Sequence, residues 1–116
     1  MITAQDDGFV FSNKSITMKI PYAEILYIEQ FEEKLWIVKN DKIEGQLTIP
    51  GAVRDISNNL EARFYQCHSY LIINIRRVVL MSKATITFDN GCTKHLGRDA
   101  FVRARKAFLN QSRDAT

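Results

Sequence analysis

The chain has 116 residues, of which 46% are apolar and 25% are charged, and this is the composition of one globular domain with a single core. Its longest apolar runs, such as residues 70–73, are far shorter than the roughly 20 residues that cross a bilayer, and the first residues do not have the pattern of a secretory leader. We therefore expect no membrane-spanning helix and a location in the cytoplasm. Two cysteines, Cys67 and Cys92, lie outside any Cys-x-x-Cys pair, which predicts free thiols and no structural zinc site.

The net charge of +3 is unevenly distributed along the chain. Residues 1–58 contain six Lys and Arg against nine Asp and Glu, whereas residues 59–116 contain ten against four. A basic surface attracts polyanions, because each neutralised phosphate releases a condensed counterion. Charge alone leaves two interpretations open, a nucleic-acid surface on the second half or a solvated basic face.

Short segments rich in β-branched and aromatic residues predict many strands and little helix. Several of them end at a turn signal, such as Pro21 or Pro50-Gly51. The predicted strands are residues 16–20, 24–29, 34–39, 42–49, 64–67, 70–73, 77–81 and 84–88. The dipeptide Asn90-Gly91 predicts a type I′ hairpin turn, in which both central residues take a positive φ.

Apolar residues recur at helical spacing in two other segments. Residues 52–60 predict one short internal helix, and residues 98–110 predict a C-terminal helix with an apolar side and a basic side. The apolar side consists of Ala100, Phe101, Ala104, Ala107 and Phe108. The basic side consists of Arg98, Arg103, Arg105, Lys106 and Arg113. This basic side faces either solvent or a DNA groove, and the sequence leaves both open.

Residues able to carry catalysis form no recognised constellation in this sequence. His68 and His95 have no metal-binding spacing, and the five glycines form no phosphate-binding loop. Cys67 and His68 are neighbours on a predicted strand and point to opposite faces, so they do not share a proton. We therefore expect that the protein is not an enzyme and that it uses no cofactor and no metal.

The segment FYQCHSYLIINIRRV at residues 64–78 is similar to the central signature of the LytTR DNA-binding domain family. In that family an aromatic residue, a histidine four residues later, polar residues, an apolar strand and an asparagine recur in this order. Phe64, His68 and Asn74 match the aromatic residue, the histidine and the asparagine.

Three further segments resemble the family in the same order along the chain. They are the early strand EILYIE at residues 24–29, the late hairpin turn at 90–91 and the segment at 96–98 that precedes the closing helix. The resemblance covers about residues 10–110.

The resemblance implies a mainly β DNA-binding domain with about ten strands in small stacked antiparallel sheets, one short internal helix and a C-terminal helix. We expect residues 1–116 to form this single domain. Family members regulate transcription in bacteria, usually as the output domain of a response regulator in a two-component system. They bind imperfect direct repeats in promoters through loops in successive major grooves and bend the duplex, so a second copy would occupy the adjacent repeat.

The resemblance also implies three DNA-contacting loops and the residues that belong to them. The hairpin before Trp36 offers Lys34 to guanine or to phosphate, and the second loop begins at His68. In the third loop, residues 92–98, Arg98 matches an arginine that enters a major groove, where its planar guanidinium can donate to both acceptors of guanine. Lys94 and Arg103 are expected at phosphates. The full set of candidate DNA-binding residues is Lys34, His68, Ser69, Tyr70, Lys94, Arg98 and Arg103.

The chain departs from the family pattern at two of these loops. Where the family has histidine, a basic or amide residue and then serine, this chain has His68-Ser69-Tyr70, so Ser69 contacts either a base or a phosphate. A one-residue gap would displace Asn74 and reverse the faces of the strand, so we keep the ungapped alignment. Gly97 stands where the family has a serine, which removes one expected phosphate contact.

Two alternatives to these assignments remain open at the level of sequence. His68 either contacts DNA or packs at the end of a strand. The whole chain is either a DNA-binding domain or a β-domain module that binds a protein partner by adding a strand at a sheet edge.

Overall fold

The computed structural model describes residues 1–40 and 45–114, with side chains up to residue 111. Within these ranges the chain forms eleven strands and one α-helix, and every strand pair is antiparallel. The elements are β1 (Ile2–Ala4), β2 (Gly8–Ser12), β3 (Thr17–Pro21), β4 (Ile25–Phe31), β5 (Lys34–Lys39), β6 (Gln46–Pro50), β7 (Phe64–His68), β8 (Leu71–Asn74), β9 (Val78–Ser82), β10 (Thr85–Phe88), β11 (Thr93–His95) and α1 (Arg98–Asp114). None of the described helical segments has the length and apolar character that crossing a bilayer requires.

The strands form three sheets that stack on one another. The N-terminal sheet has the order β1-β2-β3, the central sheet β6-β5-β4-β8-β7 and the C-terminal sheet β11-β10-β9. Alternation along the central strands divides the apolar residues between two cores. Ile28 and Ile72 join the core shared with the N-terminal sheet, whereas Tyr27 and Ile73 face the C-terminal sheet and α1. The predicted architecture of small stacked antiparallel sheets is confirmed.

Helix α1 covers the second core with the side that the sequence predicts. Ala100 and Ala104 are buried, and Phe101, Ala107 and Phe108 are partly buried against the same core. The small alanine side chains allow the helix backbone to approach the sheet closely. The amphipathic prediction for residues 98–110 is therefore confirmed, with the helix extending to Asp114.

The predicted internal helix at residues 52–60 is instead a pair of 3₁₀ turns, Val53–Asp55 and Ser57–Asn59. The Asp55 carboxylate accepts a hydrogen bond from the Ala52 N–H group (3.0 Å) and closes the first turn, and Ile56 leaves helical geometry at φ −122°. Serine and asparagine are poor helix formers, and so short a segment gains little from propagation. Of the predicted strand at 42–49, residues 42–44 lie outside the described residues and residues 46–49 belong to β6.

The hairpin turn between β10 and β11 lies where Asn90-Gly91 predicts it, but its predicted type is wrong. Only Gly91 takes a positive φ (92°), and its N–H group donates to the Phe88 carbonyl (2.9 Å). The turn is therefore a three-residue loop that ends on a glycine. Its first residue is held in place by Arg77, whose guanidinium contacts the Asp89 carboxylate at 2.9 Å.

The type I′ geometry occurs instead at the turn between β9 and β10. Its central residues, Lys83 and Ala84, have φ values of 51° and 61°. Both carry a Cβ atom, and the left-handed region costs such residues roughly 1–2 kcal/mol each. The hairpin holds them there because the neighbouring residues Ser82 and Thr85 are paired across the ladder.

Replacing Ala84 with glycine is expected to stabilise the protein by about 0.5–1 kcal/mol. Glycine adopts a positive φ without steric cost, and this gain exceeds the additional entropy that glycine gives the unfolded chain. Urea denaturation of wild type and Ala84→Gly measures the difference. A variant less stable than wild type would contradict the assigned turn geometry.

Candidate nucleic-acid interface

Two of the three predicted DNA-contacting loops lie at the same end of the central sheet. Strand β4 is antiparallel to both β5 and β8, so the turn that follows β4 and the turn that precedes β8 meet there. The Gln30 N–H group donates to the Tyr70 carbonyl (2.8 Å) and joins the two turns directly.

Helix α1 brings the last residues of the predicted third loop, 96–98, to this end, whereas residues 93–95 of that loop form β11. The Arg103 guanidinium donates to the Cys67 carbonyl from Nε (3.1 Å) and Nη2 (2.8 Å), at the point where β7 ends. Farther along the helix, Ala107 lines a cavity of about 390 Å³ together with Phe64, where β7 begins. The helix therefore runs antiparallel to β7, and Arg98 lies about 7.5 Å beyond Arg103 along the helix axis, on the side of His68. We call residues 31–34, 68–70 and 96–98 the turn end.

Lys34 is exposed at the first of these turns, at the start of β5. The side chain of Gln30 orders the turn, because its Nε2 donates to the Glu32 carbonyl (2.7 Å) and its Oε1 accepts from the Val53 N–H group (2.8 Å). Glu32 and Glu33 are exposed beside Lys34 and lower the local positive potential. This turn therefore offers one ammonium group flanked by two carboxylates.

The second turn exposes His68, Ser69 and Tyr70. The Nδ1 atom of His68 accepts a hydrogen bond from the Tyr70 N–H group (3.1 Å). A neutral ring that accepts at Nδ1 carries its proton at Nε2, so His68 presents a donor to an acceptor outside the protein. The Ser69 hydroxyl and the Tyr70 phenol stand beside that donor.

Arg98 is exposed as the first residue of α1. Leu96, two residues before the helix start, is buried and its N–H group donates to the Ala84 carbonyl (2.7 Å), which fixes the junction between β11 and α1. Because Leu96 is buried, the backbone close to Arg98 is held in place, while the exposed Arg98 guanidinium is available to a ligand.

Lys94 and Arg103, the two predicted phosphate contacts, are engaged within the protein. The Lys94 Nζ atom lies 2.7 Å from Glu29 Oε1, and the two side chains are only 21% and 17% exposed. The same ammonium lies 5.5 Å from the centroid of the Tyr27 ring. These contacts tie β11 to β4, as Arg103 ties α1 to β7, so a phosphate contact by Lys94 would compete with Glu29.

The two cysteines are free thiols in different surroundings. Cys67 is buried under α1, whereas Cys92 is exposed in the turn between β10 and β11. Burial raises the pKa of the Cys67 thiol to about 12, and the opposing effect of the Arg103 charge on this pKa is smaller. Because the thiolate is the reactive form, Cys67 is inert near neutral pH.

A thiol reagent added to the folded protein at pH 8 is expected to modify one cysteine per chain rapidly. Cys92 reacts because it is accessible, and Cys67 reacts only when the protein unfolds. Counting modified thiols in native and denatured protein, with Cys92→Ser as the control, tests this assignment. Two equally fast thiols in the native protein would contradict it.

The comparison with protein families matches residues 15–109 to the LytTr DNA-binding domain. The chain belongs to this family. Its fold is similar to the LytTr DNA-binding domain of a Bacillus cereus protein described as a methyl-accepting/DNA response regulator, with a TM-score of 0.66 and 14% sequence identity over 90% of this chain and 98% of that one. No curated protein sequence matches the chain. As a LytTr domain, the protein is a DNA-binding module, which agrees with the resemblance at residues 64–78.

Sequence reasoning found the exposed residues of the turn end but not the contacts that assemble it. Glu29 lies 65 residues from Lys94, and no local pattern connects them. The partner of Arg103 is a backbone carbonyl, which leaves no signal in the sequence at all.

Proposed function

We propose that this LytTr domain is a bacterial transcription regulator that binds specific sequences in duplex DNA through its turn end. One observation carries the proposal: Lys34, His68 and Arg98 come from three distant segments, and three internal contacts bring those segments to one end of the molecule. Those contacts join Gln30 to Tyr70, Lys94 to Glu29 and Arg103 to Cys67.

The residues of the turn end have different roles in this proposal. Arg98 donates to the two acceptors on the major-groove edge of a guanine, and Lys34 donates to a base or a phosphate. The second turn contacts the DNA backbone or a base edge through His68 Nε2, Ser69 and Tyr70. The main role of Lys94 and Arg103 is to hold the turns in register. They contact phosphate only through N–H groups that are not already bonded to Glu29 or to the Cys67 carbonyl.

The proposal extends to how the protein is used in the cell. Residues 1–116 form one output domain of a response regulator in a two-component system, acting in the cytoplasm. The domain binds promoter direct repeats through successive major grooves and bends the duplex, with a second copy on the adjacent repeat. The family membership and the exposed basic residues at one end support this arrangement.

The salt dependence of duplex binding tests the proposal. We expect the affinity to fall steeply with salt, with the slope of log K against log [salt] reduced by about 0.9 for each phosphate contact removed. Fluorescence anisotropy of a labelled duplex gives this slope for wild type, Lys34→Ala and the control Lys14→Ala. Lys14 is an exposed lysine in the turn between β2 and β3.

The two variants separate the proposed surface from general basic charge. Lys34→Ala is expected to weaken binding, either with a flatter slope if Lys34 contacts a phosphate or with a greater loss on the preferred sequence if it contacts a base. Lys14→Ala is expected to bind like wild type. Equal effects of both substitutions, or binding that does not change with salt, would contradict the proposal.

A further inference from the structure

The exposed aromatic side chains of the described residues are concentrated at the turn end or directly beside it. They are Phe31 (50% exposed), Trp36 (38%) and Tyr70 (55%). The rings of Phe31 and Trp36 form an edge-to-face pair with centroids 5.2 Å apart. Phe31 belongs to the turn end, so a duplex that binds there lies directly beside this pair.

The aromatic pair shares one face of the central sheet with Lys34. The register pairs Phe31 with Lys34 and Trp36 with Glu29, and alternate residues of a strand point to the same face. The opposite face of these strands is filled by the first core, which includes Leu35. Two rings and one ammonium group therefore form a single uncovered patch that is continuous with the turn end.

We propose that Phe31 and Trp36 pack against deoxyribose rings of the bound duplex, next to a phosphate that Lys34 contacts. This inference rests on the proposed function and adds an apolar contact to it. A DNA strand alternates anionic phosphates with sugars that expose C–H groups, and the patch alternates an ammonium group with apolar rings. The DNA interface then extends from the turn end to the start of β5 and stops at Glu29 of β4, which Lys94 of β11 contacts at 2.7 Å.

The size of the patch favours DNA over a second copy of the chain. Two aromatic rings that are about half exposed offer roughly 200 Å² of surface. A stable protein interface buries roughly 800 Å² on each partner, so the patch is far too small to form one alone. The same area is a reasonable fraction of the roughly 600–1,000 Å² that a single DNA-binding module buries, and the Lys34 ammonium group can donate to a phosphate although Glu32 and Glu33 beside it lower the local positive potential.

Trp36 is the single tryptophan of the chain, so its fluorescence reports on this patch directly. We would titrate the wild-type protein with a 20-base-pair duplex and record two signals, the anisotropy of a label on the duplex and the quenching of tryptophan by acrylamide. We expect the quenching constant to fall at least two-fold as the anisotropy rises, with both signals saturating at the same duplex concentration.

The two signals distinguish failure of this inference from failure of the proposed function. A rise in anisotropy with unchanged quenching means that DNA binds elsewhere and overturns the aromatic contact alone. Protection of Trp36 that depends on protein concentration without DNA would assign the patch to a second copy and would also overturn it. Absence of an anisotropy change at low salt would overturn the proposed function itself and this inference with it.

A pair of matched variants gives the energetic test. Phe31→Ala removes half of the patch and is expected to weaken binding about ten-fold, on preferred and random duplexes alike, because sugars are common to every sequence. Leu80→Ala removes a side chain of similar exposure (55%) from β9 and is expected to leave the affinity unchanged. Equal affinities of Phe31→Ala and wild type, with both proteins folded by circular dichroism, would overturn the inference.

Discussion

Asn74→Asp is expected to destabilise the protein by about 3 kcal/mol or more. Asn74 is 1% exposed, and its side-chain amide bridges two segments of the backbone. The Nδ2 group donates to the Ile25 carbonyl (2.9 Å), and Oδ1 accepts from the Arg76 N–H group (3.2 Å). A carboxylate would place an acceptor against the Ile25 carbonyl and bury a charge without a partner, and a buried group left in this way costs several kcal/mol.

Urea denaturation at pH 7 measures this loss, with Asn58→Asp as the control because Asn58 is exposed in the second 3₁₀ turn. The loss should shrink as the pH falls towards 4. Burial raises the pKa of the introduced carboxyl group in the folded state, so the folded variant binds a proton that the unfolded chain releases, and acid favours folding. A loss below 1 kcal/mol for Asn74→Asp, or one that does not depend on pH, would show that the site is more accessible than the structure indicates.

Arg98→Ala is expected to weaken binding to the preferred DNA sequence by about 5- to 150-fold, which corresponds to roughly 1–3 kcal/mol. On random duplex the loss should be only a few-fold, because a guanidinium that donates to guanine contributes fully only where the guanine is present. The preferred sequence comes from selection with wild-type protein out of a randomised duplex pool, and competition binding then measures both affinities.

Arg105→Ala is the matched control for this measurement. Arg105 is an exposed arginine of α1, about 10 Å farther from the start of the helix and on nearly the same side. Its substitution should reduce both affinities by the same small factor. Equal losses on preferred and random DNA for Arg98→Ala would assign Arg98 to a phosphate instead of a base.

The sequence predicts most of the central and C-terminal sheets because their strands carry a strong periodic signal. Strands β3–β5 and β7–β10 follow the predicted segments to within a few residues, and α1 buries its predicted side. The first two strands were not predicted, because Gln5, Asp6 and Asp7 interrupt their apolar residues. These two strands form because β1 pairs with β2 and β2 pairs with β3, although the local residue pattern does not predict them.

The remaining differences arise where tertiary contacts override local preference. Asn90-Gly91 favours a type I′ turn, but the loop has three residues and Arg77 contacts the first of them, Asp89, at 2.9 Å. Lys83 and Ala84, which do not favour a positive φ, adopt it because the ladder on either side leaves no other connection.

The candidate site was predictable as a set of residues but not as an assembly. The resemblance to the LytTR family identified Lys34, His68 and Arg98 by their position in a motif. The sequence did not show that Glu29 neutralises Lys94 or that Arg103 binds a backbone carbonyl, because both contacts depend on how distant segments pack.

The most direct test of the turn end as the DNA-binding surface is an NMR titration of ¹⁵N-labelled protein with a duplex at low salt. We predict that the largest amide shift changes fall in residues 31–34, 68–70 and 96–98, with the β2–β3 turn at residues 13–16 unchanged. Changes confined to the exposed side of α1, at residues 102–109, would instead mean that the basic helix enters the groove. That result would contradict the account.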